Sequence, residues 1–334
     1  MPKRILLGLV LLVTSAAFLG YWGFQFITEP VPPGGEVSVV IPPGMNARGV
    51  SRILLEHGLI KSDWGFWLAV RKSNLSGQLK AGEYQIPRGL TLPEIIELLV
   101  KGQTATYPFT VPEGLTVVQT ANLLEALGLV DSNRFLALTR EAPLNHEHLP
   151  PGAKLPEPME GYLFPETYKI PKRATEEDII ALMYQQFLEV FGEDLQARAE
   201  ELGLSLHEVV ILASVIEREA MVDSERTTIS GVYHNRLRIG MKLDADPTVL
   251  YAHGRLDGQL TYADLEIDSP YNTYLYAGLP PGPIAAPGEA SIRAALFPED
   301  IDYLYFVSRN DGTHVFSRTY AEHLQNKAQY QPGG

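Results

Sequence analysis

The sequence predicts an α+β chain with an N-terminal transmembrane helix, then a small strand–helix module, then a larger mixed α+β domain. Three observations carry that prediction: an uncharged run from Ile5 to Ile27, a strand–turn–helix pattern recurring at fixed spacing, and a helix apolar on every side that ends in Glu217-Arg218-Glu219. With 334 residues the chain has room for two domains beyond its N-terminal segment, at roughly 100–200 residues each. A chain of that size buries a sizeable core without disulfides.

Lys3 and Arg4 precede the apolar run, whose 23 residues reach across the ~30 Å hydrocarbon core of a bilayer. Tyr21 and Trp22 lie near its far end, where amphipathic rings favour the interface. The basic side of a membrane helix stays inside, so residues 1–29 read as a cytoplasmic stub and single-pass anchor, with everything after Glu29 outside. A cleaved signal peptide with Ser15-Ala16-Ala17 as its small-residue site is the alternative, although the apolar run continues ten residues beyond it. Residues 30–36, rich in Pro and Gly, read as a linker.

The repeat comes next. Ile41-Pro42-Pro43-Gly44 is followed fourteen residues later by Gly58-Leu59-Ile60, and Val111-Pro112-Glu113-Gly114 by Gly128-Leu129-Val130 at the same spacing. A shorter copy runs from Ile86-Pro87-Arg88-Gly89 to Gly102. Each reads as a strand, a Pro-x-Gly turn and an amphipathic helix stopped by Gly. Val50, Ile53, Leu54 and, weakly, His57 share one face of the first helix; Leu92, Ile95, Ile96 and Leu99 share one face of the helix before Gly102. The segment from Lys80-Ala81-Gly82-Glu83-Tyr84 to Gly102 resembles the small wall-binding module called LysM. That resemblance assigns a glycan-holding role to a LysM-like module at 37–106, with a spacer or docking role as the alternative.

Composition excludes several function classes. The net charge of −13, from 40 acidic and 27 basic residues, argues against nucleic acid as a partner. The absence of cysteine removes thiol nucleophiles, cysteine-ligated zinc and a lipoprotein anchor. The eight histidines are scattered, and His146-Glu147-His148 sits in a Pro-rich stretch without the i, i+4 spacing of a helical metal site. No Gly-rich phosphate loop follows a strand and no nucleophile elbow is present, so neither a metal nor another cofactor is expected.

Residues 107–332 hold the chemistry, as a strand–helix and aromatic segment (107–170) and a core (171–332). The run Glu160-Gly161-Tyr162-Leu163-Phe164-Pro165-Glu166-Thr167-Tyr168 sets two carboxylates among aromatic rings. Helices are expected from Glu176 to about Glu189 and from Leu195 to Glu200. Ser205-x-x-Glu208 is then a capping-box signature opening the apolar run Val209 to Ile216. Glu217 shares a face with Ala213 and Val210, on a core helix and near its C-terminus. Burial and the negative end of the helix dipole disfavour an ionised carboxylate there, which is what a glycosidic general acid requires. The bland alternative is a surface glutamate paired with Arg218 or Arg226.

Ser224 opens the next expected helix, through Val232 to Leu237 and stopped at Gly240; Met241 to Leu243 reads as a short strand, and Asp246-Pro247-Thr248 starts a short helix toward Tyr251. Ser269-Pro270-Tyr271-Asn272-Thr273-Tyr274 and Gly278-Leu279-Pro280-Pro281-Gly282-Pro283-Ile284 follow as a rigid loop with ring faces and hydrogen-bonding groups, which suits a sugar chain or a folded turn equally. Ser214, inside the apolar helix, is expected to bond back to the backbone, and His314 and His323 to be core or supporting residues.

Leu212-Ala213-Ser214-Val215-Ile216-Glu217-Arg218-Glu219, Asn235-Arg236-Leu237, Asp246-Pro247-Thr248, the block from Tyr271-Asn272-Thr273-Tyr274 to Pro283, Tyr303-Leu304-Tyr305-Phe306-Val307 and His314-x-Phe316 together resemble the MltG (YceG-like) family of endolytic peptidoglycan transglycosylases. By that resemblance the single catalytic glutamate falls on Glu217. Contacts to the glycan are expected from Glu166, Ser214, Asn235, Arg236, Asp246, Thr248, Tyr271, Asn272, Thr273, Tyr274 and His314. Two positions depart from the family's usual pattern: Ala286 where relatives often carry Asn, and Asp244-Ala245 where Gln-Ser or Gln-Thr is commoner.

The resemblance implies cleavage of the β-1,4 bond between N-acetylmuramic acid and N-acetylglucosamine in nascent strands, with Glu217 first as acid and then as base while a 1,6-anhydro ring closes. One residue in both roles needs no second carboxylate. A lysozyme-like muramidase would need one, about 5–9.5 Å away, and Glu166, Glu219, Asp244 and Asp246 are the candidates. A non-catalytic wall-binding scaffold is the third reading. Implied partners are peptidoglycan strands, the inner membrane through residues 5–27, and cell-wall synthesis proteins.

Overall fold

A computed structural model describes residues 28–102, 106–141, 155–172, 174–255 and 257–331. The expected anchor at 5–27 and His146-Glu147-His148 lie outside them. Among the described residues no helix is long and apolar enough to cross a membrane. The architecture is α+β: twelve α-helices among the described residues, with strands paired only as three two-stranded ribbons. The chain divides into two compact units.

The first unit takes the described residues up to Pro108 together with 169–172. It contains β1 (Glu36–Ile41), α1 (Ala47–Glu56), α2 (Asp63–Lys72), β2 (Gly82–Pro87) and α3 (Leu92–Lys101). β1 and β2 pair antiparallel, Glu36 opposite Pro87 and Ile41 opposite Gly82. The alternation along β1 sends Val39 and Ile41 inward, where they meet Val50, Leu54, Phe66, Tyr84, Ile86 and Leu99. Each such buried side chain contributes roughly 1.5–3 kcal/mol of apolar transfer free energy. Thr91 and Glu94 close a reciprocal cap at the start of α3, and Gly102 ends it in the left-handed conformation at φ 72°. The two turn–helix copies read in this unit fold as the sequence predicts, except that His57 caps its helix as an exposed residue.

Strands β3 (Thr106–Thr110) and β4 (Thr167–Pro171) pair with each other and carry the chain between the units. The second unit then holds α4 (Val117–Ala126), α5 (Ser132–Glu141), α6 (Glu176–Val190), α7 (Glu193–Leu202), α8 (Leu206–Glu219), α9 (Arg226–Arg238), α10 (Asp246–Ala252), α11 (Glu289–Leu296), the ribbon β5 (Tyr305–Ser308) with β6 (His314–Ser317), and α12 (Tyr320–Tyr330). Its centre is α8. All residues from Val209 to Ile216 are buried, and the helix packs on α7, α9, α10 and α11. Ser205 and Glu208 form the predicted capping box at its start, worth about 1 kcal/mol.

Two details differ from the sequence reading. The helix expected from Ser224 begins as a single 3₁₀ turn, Asp223–Glu225, and becomes α-helical only at Arg226. Met241 to Leu243 is extended but pairs with no strand. The carbonyls of Lys242 and Leu243 instead accept hydrogen bonds from Arg236 Nη1 at 3.2 and 2.7 Å, so a side chain takes the place of a neighbouring strand.

Candidate active site

The site is built where α8 ends. Residues 217 and 219 stand about 200° apart on a 3.6-residue helix, so their side chains leave on opposite faces. Each meets a different set of partners.

Glu217 is buried and paired. Its side chain is 7% exposed, and Oε2 accepts from Arg226 Nη1 at 3.1 Å and from the Gly288 N–H at 3.1 Å. Arg226 in turn donates to Ser291 Oγ at 2.5 Å and, through Nε, to Asp223 at 3.1 Å. Gly288 is the N-cap of α11, so Glu217 joins the end of one core helix to the start of another. A Cβ on Gly288 would collide with the carboxyl of Glu113, which lies against it. Burial first, and then the charge of Glu217, hold the Glu113 carboxyl above its ordinary range. Glu113 reaches this place because the Val-Pro-Glu-Gly turn is stitched to the 283–286 loop, Gly114 N–H to Ala286 C=O and Ala286 N–H to Leu115 C=O, both at 2.8 Å. Periodicity marked that turn only as a turn, and no sequence signal pointed Glu113 toward Glu217.

Glu219 stands in a different setting. As a residue it is half-buried, as Glu217 is, and its Oε1 accepts from the hydroxyl of Tyr233, a fully buried residue of α9, at 3.1 Å. Burial, and then the nearby Asp246 carboxylate, push the Glu219 carboxyl up to about 8; the Tyr233 hydrogen bond and Arg236 act against that shift. Asp246, at the first turn of α10, accepts from Tyr274 Oη at 2.6 Å. Asp244 sits beside it in the left-handed region at φ 48°, an uncommon conformation for a residue with a side chain, and burial raises its carboxyl as well. Arg236 holds Asp244 at 3.2 Å.

Of the residues expected to touch the glycan, Arg236, Asp246 and Tyr274 lie near Glu219, and most have their polar atoms engaged within the protein. Thr248 Oγ1 donates to Ala245 C=O at 2.7 Å and shares a 2.8 Å hydrogen bond with Thr273 Oγ1, which also accepts the Ala245 N–H at 3.0 Å. Asn272, with no exposed surface, donates Nδ2 to the carbonyls of Leu265 and Ile267, both at 2.9 Å. Asn235 does the same to Ile301 and Tyr303, at 2.9 and 3.0 Å. Arg236 adds a 2.6 Å bond from Nε to Leu304 C=O. Arg236, Thr248, Asn272 and Thr273 fix the loops that carry Asp244, Asp246 and Tyr274, and Asn235 fixes the 301–303 segment. Ser214 donates to Ile211 C=O at 2.7 Å, as its helical position predicts, and accepts the Ile284 N–H at 3.1 Å, pinning the Pro-Gly loop onto α8. Tyr271 is buried with its ring 4.9 Å from that of Tyr251. His314 is buried and pairs through Nδ1 with Glu225 at 2.7 Å. Glu166 is exposed and accepts the Thr167 N–H.

His207 shows how the loop is held at the other end of α8. Its Nε2 donates to Pro281 C=O at 3.0 Å, which leaves Nδ1 to accept the Tyr162 hydroxyl at 2.7 Å. Burial lowers the pKa of that imidazole, in keeping with a neutral ring serving as donor and acceptor at once. Gly161, at φ 83°, lets the 160–164 segment lie on Val210 and Pro283, where a Cβ would approach both within 2.8 Å.

Residues 39–329 match the sequence profile of the YceG-like family. The chain belongs to the YceG-like family. A Bacillus subtilis (strain 168) protein named endolytic murein transglycosylase is 36% identical over 333 residues, covering 96% of this chain and 91% of that protein. A protein of the same name from Streptococcus pneumoniae serotype 2 (strain D39) is 28% identical over 369 residues, and the match spans 98% of this chain but only 65% of that longer relative. The fold is similar to a crystal structure of a yceG-like protein from Listeria monocytogenes, with TM-score 0.58 and 33% identity, covering 87% of this chain and 98% of that one. The resemblance read from the motifs thus holds over nearly the whole YceG-like chain.

Proposed function

We propose that this YceG-like chain is an endolytic peptidoglycan lytic transglycosylase, a lyase, and that Glu219 is its acid–base residue. The reaction class rests on the Bacillus subtilis relative, whose name states it and which aligns over 91% of its own length. The assignment within the helix rests on one observation: the Glu219 carboxyl, set beside Asp246 with a hydroxyl as its hydrogen-bond donor, is pushed up to about 8, whereas Glu217 is tied to Arg226 and the Gly288 N–H. A group with that pKa is largely protonated at neutral pH and is ready to donate.

Glu219 delivers its proton to the glycosidic oxygen between N-acetylmuramic acid and N-acetylglucosamine as that bond breaks. The carboxylate left behind then removes the proton of the muramoyl 6-hydroxyl, whose oxygen closes onto C1 to give the 1,6-anhydro end. Tyr233 and Arg236, which favour the charged form, steady the carboxylate between the two steps. Burial, and then Asp246, keep the resting acid protonated, and Tyr274 holds Asp246 in place. Glu217, locked by Arg226 and Gly288, is the brace that fixes the end of α8.

The wider reading follows the same reaction. Residues 5–27 anchor the chain once in the cell membrane with its N-terminus cytoplasmic, and the module at 37–106 holds glycan in the manner of LysM. Cell-wall synthesis proteins are the partners that such a placement would serve. Asp246 near Glu219 supports one second reading, a muramidase in which that carboxylate activates water or attacks the sugar. Mass spectrometry of muropeptides released from purified sacculi separates the two: anhydro ends for the lyase, reducing ends for the muramidase. Failure to release any muropeptide would remove both.

A further inference from the structure

A cleft opens in the same unit, between the start of α4, the end of α10 and the Ser269–Tyr271 turn, with a volume of about 440 Å³. That lies within the ~300–1,000 Å³ range of small-ligand pockets. Asp246 and Tyr251 are five residues apart on α10, about 7.5 Å along the helix, so a polymer seated at Glu219 passes within reach.

The lining carries a specific chemistry. Tyr251 and Tyr271, their rings tilted by 47°, supply an aromatic wall. Glu160, 3% exposed, accepts the Val117 N–H at 3.0 Å and the Tyr251 hydroxyl at 3.3 Å. Glu157 pairs through Oε1 with Arg140 at 2.5 Å, while its Oε2 is buried with no hydrogen-bond partner among the described residues. A buried acceptor left unmet costs free energy, and a ligand N–H or O–H relieves it. Gln119 uses its Oε1 on the Thr116 N–H, which leaves its amide nitrogen to donate.

Charge decides what kind of ligand fits. Arg140 already balances Glu157, and Arg255 lines the rim, so a second cation gains little. Glu157 repels an anion. Burial pushes the Glu160 carboxyl up to about 8, consistent with a neutral lining there. What remains is an uncharged group with N–H and O–H donors and an apolar ring face.

We infer that this cleft is a saccharide subsite, separate from the Glu219 site, that takes one N-acetylhexosamine residue. That the sugar belongs to the strand being cleaved rests on the proposed transglycosylase reading. The test uses the full-length chain in detergent, inactivated by Glu219→Gln and titrated with chitotetraose by calorimetry. Val118→Trp, at a position 41% exposed on the cleft wall, fills the space from outside the core; Gln119→Ala removes the donor. The expected result is an at least fivefold loss of chitotetraose affinity for each, with the thermal midpoint of Val118→Trp unchanged. Affinity indifferent to both substitutions, or no chitotetraose binding at all, overturns the subsite. If the glycosidase reading alone is wrong, the wild-type chain releases no muropeptides from sacculi while chitotetraose binding still responds to Val118→Trp.

Discussion

The last turn of α8 carries two glutamates two residues apart, and the protein uses them in opposite ways. On one face Glu217 is buried to 7% exposure and ion-paired with an arginine that is itself 12% exposed, with a helix N-terminus as its second donor. On the other face Glu219 has no cationic hydrogen-bond donor, takes one neutral hydroxyl donor and faces the Asp246 carboxylate. The first arrangement ties helices together, and the second keeps a carboxyl protonated. A motif shared by both residues says nothing about which is which; the partners do.

The largest effect that separates the two faces is on rate. Glu219→Gln should lower muropeptide release by about 10²–10⁴-fold, the span of general acid–base catalysis, with circular dichroism and the unfolding midpoint preserved. Next in size is stability on the opposite face. Glu217→Ala removes the buried partner of the Arg226 guanidinium, leaving it only the exposed Asp223 carboxylate, and should cost about 3 kcal/mol in denaturant unfolding. Arg226→Ala should do the same, and a double variant less destabilised than the sum of the singles would confirm the pair.

The pH dependence sharpens the contrast. Folding raises the Glu219 and Glu160 carboxyls to about 8 from an ordinary value of 4.5. Between those limits the folded state binds more protons than the unfolded one, so their contribution to stability is complete below pH 4.5 and is lost as pH rises through about 8. The stability of Glu219→Gln and Glu160→Gln relative to wild type should therefore climb from pH 5 to pH 9 in thermal unfolding, and wild-type cleavage should decline as pH passes about 8. The smallest effect concerns the scaffold that both faces share. Ser214→Ala leaves the buried Ile284 N–H without its acceptor and should cost about 1–3 kcal/mol, with little change in rate at temperatures where the protein is folded.

Much of this architecture was legible because it is local. The capping box at Ser205, the apolar run behind it, the Pro-x-Gly turns and the glycine stops all act within one or two helical turns. The site was legible only in part, for a reason visible in α8 itself. Glu217 stacks above Val210 and Ala213, but Glu219 stacks equally above Leu212 and Val215, and every one of those residues is buried. In a helix apolar all round, periodicity cannot choose between two terminal glutamates. Arg226 is a possible partner for Glu217 from sequence, yet its 3.1 Å bond depends on how α9 packs against α8. Thr248, Asn272 and Thr273 are marked for sugar contact by the family motifs they belong to and, for Asn272 and Thr273, by residue type. Their hydrogen bonds within the protein arise from long-range loop pairing, which spacing along the chain does not report.

The most direct test is a matched pair of rates on purified sacculi, for Glu219→Gln and Glu217→Gln, each normalised to the folded fraction measured in the same buffer. The Glu219 assignment requires anhydro-ended muropeptides from folded Glu217→Gln at a rate within about tenfold of wild type, and at a rate at least about a hundredfold lower from folded Glu219→Gln. A folded Glu217→Gln protein without activity, beside a Glu219→Gln protein that still cleaves, would contradict it.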